Sequence, residues 1–473
     1  MGLYEHFPYT NFHELNLDWM LAKIKSIEAA LGNLDPDSIK EAVYEYIREH
    51  PDVFPFVTPQ LFDAHANGRD DDSAAIQAAV DAGLDVYFPT DSGEIYTINN
   101  TITIPRGKSR KFYGSANARG TASNGVIRRQ YTSSHANNQS AALFRLESGA
   151  QGIVFANLRF VLGYLNPETE KTENSGVVID ARTFKNEDKD LVIRNCMVVN
   201  AEEAIWFDGR GLEVANTVFG SCGNAALITW DPTLPEDNYS SRGISFVECR
   251  FHACVGDYVV RVDSGHAYGF RMEDCLADAS LHGLLYAAEK ACNWIINGNV
   301  IQRAYRYSGN GYLIRFAGGT ENVIINNNVF RSSYSSQVKP METFIYVNGD
   351  SDSLVISSNV FKGTHRAPVR LSGTGSAAGV VISNNAFGDI AEDETTDNSM
   401  YAAIQINNAS QIGFTIVGNT CAGHKGMTRR LLSGNQSAPL TYSVISGNVC
   451  GSIPTASYEA ATCSVSNNIT NYA

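Results

Sequence analysis

The chain has 473 residues, a net charge of −14 and nine cysteines. So acidic a balance argues against nucleic acid or an anionic membrane surface as its partner. No apolar run approaches the length of a membrane span, and MGLYEHFPYT lacks the basic and apolar regions of a secretory signal, so the expectation is synthesis in a cytoplasm without a signal peptide.

In residues 1–34, Leu17, Met20, Ile24, Ile27 and Leu31 step by three and four, with Asn11 or Asn16 placed as cap. So short a seam is marginal alone. It is either one helix packed on its own chain or, the preferred reading, an oligomerisation and docking helix. The stretch YTNFHELNLDWMLAKIK resembles the N-termini of structural proteins from phages of Firmicutes-type hosts, which implies attachment to a virion through phage collar, portal or tail proteins. Residues 35–60 carry a second amphipathic helix, with Ile39, Val43, Tyr46 and Ile47 on one face, and a stiff linker set by Pro51, Pro55 and Pro59.

Residues 61–150 are expected to begin a new domain. Asp70, Asp71 and Asp72 look like active-site carboxylates, but beside Ser73 they read better as acids capping a helix over 73–82. That helix would plug the first rung of the repeat region beyond it.

From residue 151 to 473 one phrase recurs, as in NVIINNNVF, SLVISSNVF and GVVISNNAF. Twelve copies start at 152, 190, 211, 243, 269, 293, 322, 353, 379, 413, 442 and 462, at spacings from 20 to 38 residues. Position four is always apolar, and position seven is Asn in the last seven copies: Asn299, Asn328, Asn359, Asn385, Asn419, Asn448 and Asn468. Such a period means one supersecondary unit per repeat, stacked on its neighbours. Each phrase reads as strand, bend, strand, and the position-seven Asn is expected to supply the left-handed bend while its amide bonds its counterparts in a column. Cys196, Cys249 and Cys275 hold the same position upstream, and Cys222 and Cys254 share another. These read as stacked, buried thiols rather than a disulfide framework.

A third strand precedes each phrase, as in EAIWFD, YLIRFA and FIYVNG. Three strands per turn with an asparagine column, entered through FDAHANGRDDDSAAIQAAVDAGLDVYFP, resemble the pectate-lyase-like proteins of the bacteriophage tailspike type. The resemblance covers about residues 60–473. It implies an all-β, right-handed parallel β-helix, a homotrimer, no cofactor and no metal.

Alternation assigns the faces. Position three points outward and reads Ile295, Ile324, Val355, Val381 and Val444 in the later copies, too apolar for a free surface and therefore an interface. In the third strand the first outward row is expected to be Val178, Trp206, Thr229, Arg261, Tyr286, Arg315, Tyr346, Arg370 and Gln405. The second is expected to place Asp180, Asp208, Asp231 and Asp263 in one column. Aromatics interleaved with arginines suit sugar rings and their acidic groups. Either each Asp caps a turn, or Asp208, Asp231 and Asp263 supply an acid–base pair, with Asp231 the general acid and Trp206 and Arg261 positioning the sugar.

The functional expectation is a virion tailspike or appendage subunit that binds a host cell-wall or capsular polysaccharide and in one version cleaves it. The alternatives are a free polysaccharide hydrolase or lyase of the same fold and a non-enzymatic structural fibre. The polygalacturonase pattern is missing, since His266 sits in Gly-His-Ala and His282 in Leu-His-Gly.

Overall fold

A computed structural model describes Tyr46 and residues 55–470, except 90–92, 108, 115–125, 130–140, 167–170, 174, 184–186, 230–241, 255, 264–265, 282, 305–310, 333–339, 391–401, 424–429, 435–437 and 454–456. The chain divides into Met1–Val57 and Thr58–Ala473. The seam of Leu17, Met20, Ile24, Ile27 and Leu31 lies outside the described residues, as does Asp231.

The second unit is a parallel β-helix. Sheet 1 has 12 strands, from Ile102–Ile104 through Glu203–Phe207 and Val260–Val262 to Leu432–Gly434. Sheet 2 carries the strand before each bend, and sheet 3, also of 12 strands, the strand after it. Every rung pairs parallel with the next. One antiparallel hairpin, Tyr164–Asn166 with Lys171–Glu173, stands outside the three sheets.

Position four of the phrase forms one unbroken register from Phe155, Ile193 and Val214 through Phe246, Met272 and Ile296 to Ile325, Ile356, Ile382, Ile416, Ile445 and Val465. The first eleven of these side chains are buried. Position nine stacks rings inside sheet 3, with Phe361 5.2 Å from Phe330 and 5.0 Å from Phe387. An apolar residue forced inward at a fixed place in each rung is what holds twelve variable repeats in step.

The bend is made one residue earlier than expected. Position six has positive φ in every copy, as at Asn157, Asn195, Asn216, Glu248, Asp274, Asn327, Asn384 and Asn467, with Gly298, Gly418 and Gly447 filling the same place. Position one is also left-handed in the first eleven copies, from Gly152 and Asp190 to Gly413 and Tyr442. The position-seven asparagines take no part in this. Their side chains turn inward.

Inside, the five amides from Asn328 to Asn448 each make four bonds. Asn359 Nδ2 donates to Asn385 Oδ1 at 3.0 Å and to the Ile325 carbonyl at 2.9 Å. Its Oδ1 accepts the Asn328 backbone N–H at 2.9 Å and Asn328 Nδ2 at 3.0 Å. The same four bonds repeat up to Asn448, and Asn468, at the end of the column, accepts two and donates one. Upstream, the thiols of Cys249 and Cys275 donate to the matching carbonyls, Val214 O at 3.4 Å and Phe246 O at 3.5 Å. All nine cysteines are free thiols and eight are buried. Burial pushes Cys196 and Cys222 up to about 12, so these sulfurs are packing groups rather than nucleophiles.

Replacing Asn359 by Leu removes the acceptor of two buried N–H groups and a donor to Ile325. The expected loss is about 1–3 kcal/mol, read as a lower denaturant midpoint. An unchanged midpoint would show that the ladder contributes nothing.

The helix at the entry runs over Ser73–Asp81 and buries Ile76, Ala79 and Val80. Asp71 Oδ1 accepts the Ser73 N–H at 3.0 Å, as a capping acid should. Asp72 does something else. Buried at 1% exposure, it accepts from the backbones of His65 at 2.7 Å and Thr97 at 3.0 Å, tying two segments together. Gln77 closes the first edge of sheet 1 as a strand would. Its Oε1 accepts the Thr103 N–H at 2.8 Å and its Nε2 donates to the Thr103 carbonyl at 3.0 Å.

Candidate functional site

The outward face of sheet 1 gathers the chemistry. Register puts Arg145, Asp180, Trp206, Leu227, Arg261, Tyr286, Arg315, Tyr346, Arg370 and Gln405 in one row. This corrects the expected rows at two places. Val178 is buried, and Asp180 takes its place beside Trp206. Phe207 pairs with Ile228 and Ile228 with Val262, so Thr229, not Asp231, lies between Asp208 and Asp263. The described rungs therefore hold no four-aspartate column. Alignment on the aspartates slipped the register by two residues, a shift that leaves each side chain on the same face.

Asp208 is not open to a ligand. Lys189, with 0% of its side chain exposed, donates its Nζ to Asp208 Oδ1 at 2.5 Å and to the Asp208 carbonyl at 2.8 Å. Lys189 is buried because it shares the inward face of the strand Asp188–Arg194 with Leu191 and Ile193. The same strand shifts its pairing register there, since Asp188 pairs with Arg210 but Leu191 with Leu212. The Thr183 N–H also reaches Asp208 Oδ1, at 3.1 Å.

Toward the N-terminal end, the face is a set of paired charges. Arg182 meets Asp180 at 3.0 Å, with Arg145 at 3.6 Å on the same carboxylate. The Arg182 guanidinium lies 3.4 Å above the Trp206 indole, so one face of that ring is already covered. Arg261 Nε holds both oxygens of Asp263, at 2.8 and 3.0 Å.

Glu203, which sequence reasoning passed over, opens the strand Glu203–Phe207 on this face. Its Oε2 is withdrawn from solvent with no hydrogen-bond partner, and so is Trp206 Nε1 three residues on. Burial raises the Glu203 carboxyl to about 7, with Glu202 adding to the effect and the Arg182 and Arg261 guanidiniums opposing it. The available signal was the Glu202–Glu203 pair leading straight into an apolar strand.

Toward the C-terminal end the face becomes aromatic and cationic. Tyr286 lies 5.1 Å from Tyr258, and Tyr312 stacks on Tyr346 at 4.3 Å. Arg261 and Arg315 sit 5.8 and 5.6 Å from the Tyr286 ring, and Arg370 sits 5.2 Å from Tyr346. Alternation along the strands found Tyr286, Arg315, Tyr346 and Arg370 but missed Tyr258 and Tyr312, which lean in from the strand starts. Among the described residues no group of three His, Cys, Asp or Glu side chains could hold a metal ion.

On the other side of the column, Ile295, Ile324, Val355, Val381 and Val444 do point outward from sheet 2, with Ile324 38% and Val444 42% exposed. A second apolar row runs across the bend at position eight, where Val329 is 38% and Val360 44% exposed.

Three parallel sheets, inward stacks and a bonded asparagine column define a right-handed parallel β-helix, a fold that tailspike structures share. No protein family and no curated protein matches the chain. Among solved structures it is similar to tailspike protein 3 of bacteriophage CBA120, at 13% identity over 90% of this chain with a TM-score of 0.52. The chain spans 62% of the length of that tailspike. Weaker likenesses include the DFA-IIIase of Arthrobacter chlorophenolicus without its lid (13% identity, 87% of this chain and 98% of that one, TM-score 0.47) and the Dettilon tailspike protein (14%, 88% and 69%, 0.40). At such identities the likeness shows the fold. No helix among the described residues is long and apolar enough to cross a membrane.

Proposed function

We propose that the chain is a phage appendage subunit that binds a host-surface glycan along the outward face of sheet 1. The observation that carries this is the row from Arg261 to Arg370, where guanidiniums and rings alternate rung by rung. Four polar atoms there, Glu203 Oε2, Trp206 Nε1, Arg315 Nε and Arg370 Nε, are withdrawn from solvent without a partner. The four residues are themselves only half-buried, so the face still offers polar and aromatic surface on which a sugar can settle. The test is a glycan array probed with wild type and Tyr346→Ala. Loss of signal in the variant is expected, and binding that survives in a folded variant would move the site elsewhere.

Residues 1–34 attach the subunit to the particle, and the apolar rows of sheet 2 and the bend pack three copies together. Ile324→Asp with Val355→Asp puts charges into that seam. Sedimentation should show monomers in place of trimers. A variant that stays trimeric overturns the seam.

A second reading adds cleavage, and Glu203 is the observation that favours it. A carboxyl held neutral up to about pH 7, on the same face as Asp263, matches the pattern of general acid and partner in glycoside hydrolysis. Of the three aspartates singled out in the sequence, Asp263 is the one on the open face, since Asp208 is bound to Lys189 and Asp231 lies outside the described residues.

A further inference from the structure

We infer that the ligand of this face is an acidic polysaccharide carrying a carboxylate on every second sugar, a conclusion that rests on the glycan reading of the site. The spacing of the arginines is the ground for it. Arg261, Arg315 and Arg370 occupy alternate rungs of one row, with Tyr286 and Tyr346 on the rungs between. Two rungs span roughly 9–10 Å. A pyranose in an extended polymer advances by nearly one rung, so a chain lying along the column would meet a ring, then a guanidinium, in turn.

The arginines differ in what they hold. Arg261 is bound to Asp263, 2.8 Å away. Arg315 and Arg370 enter no ion pair among the described residues, and the Nε of each is withdrawn from solvent without an acceptor. Arg315 meets the Tyr258 hydroxyl, which is neutral, and no carboxylate among the described residues forms an ion pair with either arginine. The next outward row beside them reads Ala288, Ala317, Asn348, Ser372 and Asn407, with no carboxylate. The nearby Glu342 is held by Arg366 at 2.6 Å. In a chain of net charge −14, two uncompensated guanidiniums on an aromatic surface form a local positive field. A guanidinium takes a carboxylate through two parallel bonds, and tyrosine faces take the sugar between. A neutral glycan would bring hydroxyl acceptors but no charge to meet the two guanidiniums, and an acid on every sugar would set a carboxylate against each tyrosine face.

The experiment uses the full chain on an array of bacterial surface oligosaccharides sorted into neutral, acid on every sugar and acid on alternate sugars. The best binder is then titrated against wild type, Arg315→Gln/Arg370→Gln and Arg315→Lys/Arg370→Lys. The inference expects the alternating class to bind best, and affinity to fall at least tenfold in the Gln pair and by less in the Lys pair. It also expects wild-type affinity to fall with salt. If neutral glycans bind and the Gln pair binds them equally, the acidic ligand is overturned while the glycan reading stands. If the fully acidic class binds better, the alternation is overturned. If no class binds, the glycan reading itself has failed.

Discussion

Lys189→Met is expected to cost about 3–5 kcal/mol, the size typical of removing one member of a buried ion pair. The substitution keeps the shape of the stem and deletes the charge, leaving the Asp208 carboxylate 3% exposed and facing the Thr183 N–H as its described donor. Lys189→Met combined with Asp208→Leu should recover much of the loss, because neither charge is then stranded. Chemical denaturation of the three variants measures this directly. If the single substitution is neutral, water reaches the pair and Asp208 is open after all, which would return it to the candidates for chemistry.

Glu203→Gln carries the other large effect. As the general acid, Glu203 should contribute about 10²–10⁴-fold to glycan cleavage, so the variant binds polymer and releases almost no product. Glycan turned over at the wild-type rate would remove Glu203 from the chemistry. A wild type that binds and never cleaves would end the second reading and leave the first intact. Stability offers an independent check. The folded carboxyl titrates at about 7, above its ordinary 4.5. Its contribution is therefore full below about 4.5 and is lost as pH rises through about 7. Glutamine has no such titration, so the variant should gain melting temperature over wild type at pH 8 relative to pH 4.5. Parallel curves would show that the carboxyl is not desolvated.

Sheet 2 was legible because two constraints coincide there. An inward apolar side chain must recur at position four, and residues that tolerate positive φ must recur at position six, so each copy locates itself. The seventh-position asparagines advertised the bend without making it. An Asn beside a left-handed residue and an Asn in that conformation look alike in sequence, and only the inward turn of the amide tells them apart. Sheet 1 has no bend motif of its own and hangs between loops of variable length. Its faces could be read from alternation, but not its rung-to-rung register, which is why Asp180 and Thr229 each meet a partner two residues away from the expected one. Lys189 was missed for another reason. Alternation with Leu191 and Ile193 places it inward, but a lysine at an inward position makes sense only once its buried partner Asp208 is known.

The asparagine column also bears on how the protein comes apart. Each amide takes its bonds from the rungs directly above and below, whose partners lie 20–34 residues away along the ladder from Asn299 to Asn468. Closing each such loop carries a small and nearly uniform entropy cost, so a finished rung serves as the mould for its successor. Disassembly has to run the same track in reverse. An interior rung cannot peel away before its neighbours, so fraying starts at the two ends of the stack, and the time needed to unravel grows with the number of rungs. That is endurance obtained from order of events rather than from depth of the energy well.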